Sequence, residues 1–237
     1  MRGSGLYCFL LCSCLVSPGY AGDAADRARP SGRELDVDRV IVKMEDVRSS
    51  LVSLATEVVK TVPSDPGRPA ETFRLFFRSP DRLRVEVGGA RPRKAVINGD
   101  RLWVFHPDLE IVEQTALPDE RARRRALYEL SWGLTGPVQS LVRGMNRELK
   151  EDADGSLTVR LTPDSDEVSL DWIEARVDPA TWLVREMRIK QPGLPLVRLE
   201  VADWDRETDL SESVFALEVP AGWDVFEELE PGPNPGL

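Results

Sequence analysis

Residues 72–87 read TFRLFFRSPDRLRVEV. Phe73, Leu75 and Phe77 alternate with Thr72, Arg74 and Arg78. After the Ser79-Pro80-Asp81 turn, Leu83, Val85 and Val87 alternate with Arg82, Arg84 and Glu86. A period of two sends successive side chains to opposite faces of a strand. The stretch therefore predicts an antiparallel hairpin with one charged and one apolar face. The pattern spreads outward from it. Ser50 to Val62 is rich in strand formers, and Lys94 to Ile97, Arg101 to His106 and Glu110 to Thr115 follow. Gly88-Gly89 and Asn98-Gly99-Asp100 supply turns. Later segments with the same period carry Leu157/Val159/Leu161, Ser169 to Asp178, Met187/Ile189, Val197/Leu199/Val201 and Phe215/Leu217/Val219.

Two regions have helical spacing instead. Val37, Val40, Ile41, Met44 and Val47 recur every three or four residues, with charge between them. That predicts an amphipathic helix, packed on its own sheet or offered to a partner or membrane. Residues 118–147 interrupt the strands. The run DERARRRALYELSWG reads as one helix, and Gly136-Pro137 starts a second through Val138, Leu141, Val142 and Met145. The basic cluster Arg121 to Arg125 is a solvated helix face or a docking surface for an acidic partner.

Roughly eight to eleven sequential strands and about three helices imply an α+β fold. The expected architecture is a strongly curved antiparallel sheet, an incomplete β-barrel, closed by a helical lid. Its concave face is filled by a second packed layer or encloses a lipid-sized cavity. The strand of Trp103 and Phe105 is apolar on both parities, and continuity favours Leu102 and Val104 on the concave side. Neither an internal repeat nor a linker divides residues 35–226, so they are expected to form one domain.

The 237-residue chain carries 41 acidic and 31 basic residues, a net charge of −10. That balance argues against nucleic acid as a partner and against electrostatic adhesion to anionic lipid. All three cysteines, Cys8, Cys12 and Cys14, fall in the first fourteen residues. The body thus has no thiol for a disulfide, a zinc site or covalent catalysis. Residues 1–21 read as a signal peptide: Arg2, the apolar core Leu6 to Val16, a Pro18-Gly19 break, and small residues at Gly19 and Ala21. A buried helix is the alternative, and a second is lipidation at Cys14, since Leu11-Cys12-Ser13-Cys14 loosely matches a lipobox. A flexible tether, residues 22–34, would follow. Residues 227–237 read as a disordered acidic tail.

His106, the single histidine, stands at a strand end before Pro107-Asp108. No G-x-S-x-G, G-x-G-x-x-G, P-loop or H-E-x-x-H accompanies it. The expectation is a protein that is not an enzyme, with no catalytic residue, cofactor or metal.

Three segments carry a family resemblance. Phe77-Arg78-Ser79-Pro80-Asp81-Arg82-Leu83-Arg84-Val85-Glu86 resembles the strand–Pro–strand hairpin of the LolA-like periplasmic lipoprotein carriers. Ile97-Asn98-Gly99-Asp100-Arg101-Leu102-Trp103-Val104-Phe105-His106-Pro107 resembles the D-G-x-x-L-W-x-Y-x-P strand of that family, with Asn98 for Asp and Phe105 for Tyr. Phe215 to Val225 resembles its F-x-F-x-P-P-x-G-x-x-V ending. Ser79 stands where the carrier has a basic residue linked to handing lipoprotein to its acceptor. The resemblance implies a half-barrel whose apolar cavity holds the acyl chains of lipoproteins, or another lipid, for transfer to the outer membrane without chemistry. Implied with it are a periplasmic location, an inner-membrane donor, an outer-membrane acceptor and a monomeric carrier. A membrane-anchored LolB-like acceptor and an envelope lipid or lipoprotein sensor are the alternatives. The expected lipid contacts are Phe73, Leu75, Phe77, Leu83, Val85, Val87, Leu102 and Val104 on the sheet, and Ile41 and Met44 on the leading helix.

Overall fold

The computed structural model describes residues 36–228, apart from 66, 68, 90 and 166–168. The expected signal peptide, Cys14, the tether and the tail beyond residue 228 lie outside those residues. Residues 227 and 228, expected in the disordered tail, instead pair with the sheet as the end of its last strand. Asp36 caps the first helix, α1 (Val37–Ser50), by accepting from the Asp38 and Arg39 amides. The capping carboxylate satisfies two of the donors that a helix start leaves unpaired. Six strands follow: β1 (Ser53–Thr61), β2 (Glu71–Arg78), β3 (Arg82–Val87), β4 (Arg93–Asn98), β5 (Arg101–His106) and β6 (Ile111–Ala116). Helices α2 (Glu120–Ser131) and α3 (Val138–Val142) precede β7 (Met145–Glu151), β8 (Leu157–Pro163), β9 (Trp172–Asp178), β10 (Leu183–Lys190), β11 (Val197–Val201) and β12 (Asp224–Glu228).

The strands make one curved, unclosed sheet in the order β12-β6-β5-β4-β3-β2-β1-β11-β10-β9-β8-β7. Pairing of β1 with β11 joins the two halves of the chain. All neighbours are antiparallel except β12 and β6, which run parallel. The α+β half-barrel with helices on one face is the expected architecture.

Several details differ from the sequence reading. Twelve strands form among the described residues, not eight to eleven. The second helix stops at Val142, Gly144 adopts φ +68°, and Met145 opens β7 rather than closing the helix. Strand β7 reads MNRELKE, and only Met145 and Leu149 supply apolar side chains to the concave parity, so alternation hardly shows. Phe215, Leu217 and Val219 do not form a strand. Residues 212–215 make a single 3₁₀ turn, and the last strand starts at Asp224. The apolar residues there are buried by packing, not by ladder pairing. Phe215 and Leu210 sit on Val96 and Phe76 as a small second core on the outer face of the sheet. The strap of residues 203–217 is tied down across β1–β4. Ser53 Oγ donates to the Thr208 carbonyl, Arg78 to that of Leu210, Arg84 to that of Val214, and Asn98 Nδ2 to that of Phe215.

The outer face of β8–β11 carries charge instead. Glu186 on β10, 8% exposed, accepts from Arg188 Nε at 2.6 Å and from Arg198 Nη2 at 2.9 Å. Burial alone would raise its pKa, but the Arg198 hydrogen bond and the two guanidinium charges outweigh burial and hold it below the ordinary 4.5. A depressed carboxyl stabilises the fold above its unfolded pKa, and that contribution is lost as pH falls through the folded value. Glu186→Gln should therefore cost about 1–3 kcal/mol at pH 7 and progressively less as pH falls below 4.5. Urea midpoints at pH 7 and pH 3 check this. An equal deficit at both would mean that the carboxylate charge is not what matters.

Candidate functional site

Cross-strand register sets the concave face. Leu54, Thr56 and Val58 of β1 oppose Phe77, Leu75 and Phe73 of β2. Phe73, Leu75 and Phe77 oppose Val87, Val85 and Leu83 of β3. Leu83 and Val85 oppose Ile97 and Ala95 of β4, and these oppose Leu102 and Val104 of β5. Leu102 and Val104 thus share the face of the hairpin, while Trp103 and Phe105 point outward. The Phe105 ring lies 6.4 Å from that of Trp223, centroid to centroid. On the other half, Leu157, Val159 and Leu161 of β8 and Ile173, Ala175 and Val177 of β9 continue the surface.

Nine of the expected contacts belong to one cluster. Phe73, Leu75, Phe77, Leu83, Val85, Ile41 and Met44 are buried in it, and Val87 and Leu102 pack against it. Val104 has the right parity but lies outside the cluster, half-buried. Helix α1 covers β7 and β10 and touches α3, while α2 lies over β3 and β4. The Arg121–Arg125 run is an exposed face of α2, where Arg124 and Arg125 pair with Glu120 and Glu129 one turn away. Between α2 and α3 the chain reverses through Trp132 and Gly133, both with left-handed backbone. A Cβ on Gly133 would come 2.8 Å from the Tyr128 ring, so only glycine fits. Burial pushes the Tyr128 hydroxyl up to about 12.

The concave interior is packed. The opening between α1, the 133–136 loop, α3 and strands β9 and β10 has a volume of about 30 Å³. A site for a drug-sized ligand takes roughly 300–1,000 Å³. Of the two alternatives left open by the sequence, the described state is the packed second layer. A wider recess, about 580 Å³, lies on the outer face and is lined by Lys150, Asp152, Asp154, Glu174, Arg176 and Arg188 among others. Those groups pair with one another across the surface, which is the wrong chemistry for a hydrocarbon chain.

Few polar ties hold the helical layer. Asp38 of α1 accepts from Arg147 Nη1 of β7 at 2.7 Å. Glu45 accepts from the Gln139 amide at 3.0 Å. Arg48 donates through Nη1 to the Leu134 carbonyl at 2.7 Å and through Nη2 to the Thr135 carbonyl. Its guanidinium carbon sits 5.6 Å from the centre of the Phe77 ring. Arg48 was missed by sequence reasoning, which ended the apolar stripe at Val47. The signal was present, since counting four residues on from Met44 lands on Arg48. His106 Nε2 lies 3.4 Å from Glu113 Oε2 on the neighbouring strand and is buried without a hydrogen-bond partner.

A half-barrel sheet with an apolar concave face under a thin helical layer is consistent with the lipoprotein-carrier fold. The family described as "Outer membrane lipoprotein carrier protein LolA" matches residues 53–218, and the chain belongs to it. An outer-membrane lipoprotein carrier protein of Alkalilimnicola ehrlichii is 26% identical over 230 residues, covering 93% of this chain and 94% of that protein. Among solved structures, an uncharacterized conserved protein of Thermus thermophilus is similar with a TM-score of 0.55 at 12% identity. The match covers 81% of this chain and all of that one. A LolA superfamily protein of Nitrosomonas europaea has a TM-score of 0.41 at 13% identity, over 78% of this chain and 99% of its own.

Proposed function

We propose that the protein is an exported, periplasmic carrier that holds lipoprotein acyl chains, or another lipid, against the concave face of its sheet and moves them toward the outer membrane. The observation that carries this reading is the continuous apolar face from β8 to β5, covered by helices that few polar groups hold. Each methylene buried there contributes about 0.8 kcal/mol, so acyl chains can replace the helices as the covering layer without polar contacts. The packed interior is then the empty state. Loading requires α1 and the α2–α3 segment to lift, and cargo favours the open arrangement because it contacts that state better. The family membership and the carrier name of the Alkalilimnicola relative support the same reading. Release needs no reaction, since the helices close again as the chains leave. Phe73, Leu75, Phe77, Leu83, Val85, Val87 and Leu102 are the sheet contacts, Ile41 and Met44 the helical ones, and Val104 marks the rim.

Native mass spectrometry of protein purified from membranes tests this. Expected is a bound acyl-chain lipid, and acceleration of its transfer between vesicles by the delipidated protein. Protein that emerges empty and leaves spontaneous transfer unchanged would sink the proposal.

A further inference from the structure

The apolar layer contains a cation on which, among the described residues, no carboxylate sits. The buried stripe of α1, Val40, Ile41 and Met44, runs on to Arg48 at the mouth of the interior cavity. Glu45, the carboxylate that acts on its charge, is engaged by the Gln139 amide and the Ser49 hydroxyl. Arg48 spends two donors on loop carbonyls, and its Nε is buried without a partner. The Thr135 hydroxyl, in the loop that Arg48 grips, is also buried without a partner. Burial pushes the guanidinium pKa down to about 10. The other walls of the cavity include Met44, Val138, Met187, Trp182 and Trp204. Hydrocarbon alone needs neither polar group. Methionine at this position would continue the stripe and avoid desolvating a charge. A guanidinium fork matches the oxygens of a phosphate or carboxylate.

We infer that the preferred cargo is an amphiphile with an anionic head, phosphate or carboxylate, whose oxygens are held by Arg48 and the Thr135 hydroxyl. The inference rests on the carrier reading above and adds the head-group class to it. The oxyanion and the carbonyls of Leu134 and Thr135 compete for the same donors. An anionic head therefore frees the 133–136 loop from α1, which a neutral lipid with the same chains cannot do. The preference runs against the long-range field, because the chain carries a net charge of −10, so it must come from a local contact.

The test measures dissociation constants of the delipidated protein in two matched pairs, phosphatidylglycerol against diacylglycerol of the same chains, and oleate against oleyl alcohol. The ratio is read within each variant, so any change in opening common to both members of a pair cancels. Wild type should favour the anionic member of at least one pair by about tenfold or more, the worth of one hydrogen bond to a charged group. The pair that shows the preference identifies phosphate or carboxylate. Arg48→Met should bring the ratio to about one, and Thr135→Val should lower it by about threefold. Arg48→Lys, which keeps the charge, should retain part of it and stands in if the methionine variant does not fold. Equal wild-type affinity within both pairs overturns the head-group inference and leaves the carrier reading intact. A preference that survives Arg48→Met places the head elsewhere and also overturns it. Binding of no member of either pair overturns both readings.

Discussion

Cross-linking α1 to the edge of the sheet should stop the proposed lipid transfer. Asp38 and Arg147 form an ion pair between the first turn of α1 and strand β7, and both side chains are solvent-accessible. Replacing both with cysteine removes a surface pair that contributes about 0–1 kcal/mol, so the fold should survive. The native cysteines all lie within the first fourteen residues, and a form starting after residue 21 has only the engineered pair. A short, cleavable thiol cross-linker then fixes α1 over β7. The buried stripe of α1 covers the β7–β10 half of the concave face, and acyl chains can occupy that half only if the stripe leaves it. The cross-linked protein should show transfer at the spontaneous rate, and cleavage of the linker should restore the rate of the uncross-linked variant. Transfer at the uncross-linked rate with the bridge intact would show that α1 stays seated during loading. The opening would then belong to α2 over β3 and β4.

The hairpin at residues 72–87 was legible because it lies mid-sheet with one face in the core. There the period of two is enforced by burial, and a slip of one residue would invert every side chain. Strands β7 and β12 were illegible for the converse reason. Each is an edge strand, and MNRELKE and DVFEE place charges on both parities. Charge on an edge discourages pairing with other chains, and it erases the signal by which strands are recognised. Phe215 misled differently. Its alternation with Leu217 and Val219 is real, but it reflects a strap packed on the outer face.

The candidate site divides along the same line. Its apolar members followed from parity, since register alone decides which residues share a face. What parity could not show is whether the face is filled by side chains or by a cavity. That depends on how closely three helices fit the curvature, and a local pattern does not record it. Arg48 escaped for another reason. A charged residue on an apolar stripe reads as the end of the stripe until the carbonyls of Leu134 and Thr135 are found opposite it.

Leu83→Glu should cost several kcal/mol of stability and abolish lipid binding, with a pH dependence that reports its surroundings. Leu83 is fully buried, between Phe77 of β2 and Ile97 of β4. An ionised carboxylate there has no cation on its own face of the hairpin, because Arg82 and Arg84 point outward, and the Arg48 guanidinium, 5.6 Å from the centre of the Phe77 ring, is engaged by the Leu134 and Thr135 carbonyls. The group escapes by staying protonated, so its pKa in the fold rises above the unfolded value of about 4.3. An acid with a raised folded pKa destabilises increasingly as pH climbs from the unfolded to the folded value, by about 1.4 kcal/mol per unit. The deficit relative to Leu83→Gln should thus be small at pH 4 and large at pH 7. Leu83→Met, which conserves volume, should cost less than about 1.5 kcal/mol and keep lipid binding. Binding is compared at a temperature where far-UV dichroism shows each variant folded. A glutamate variant that binds lipid like wild type would remove β3 from the ligand surface. A deficit that does not change with pH would mean that the new carboxylate reaches water, and that the layer over β3 opens even without cargo.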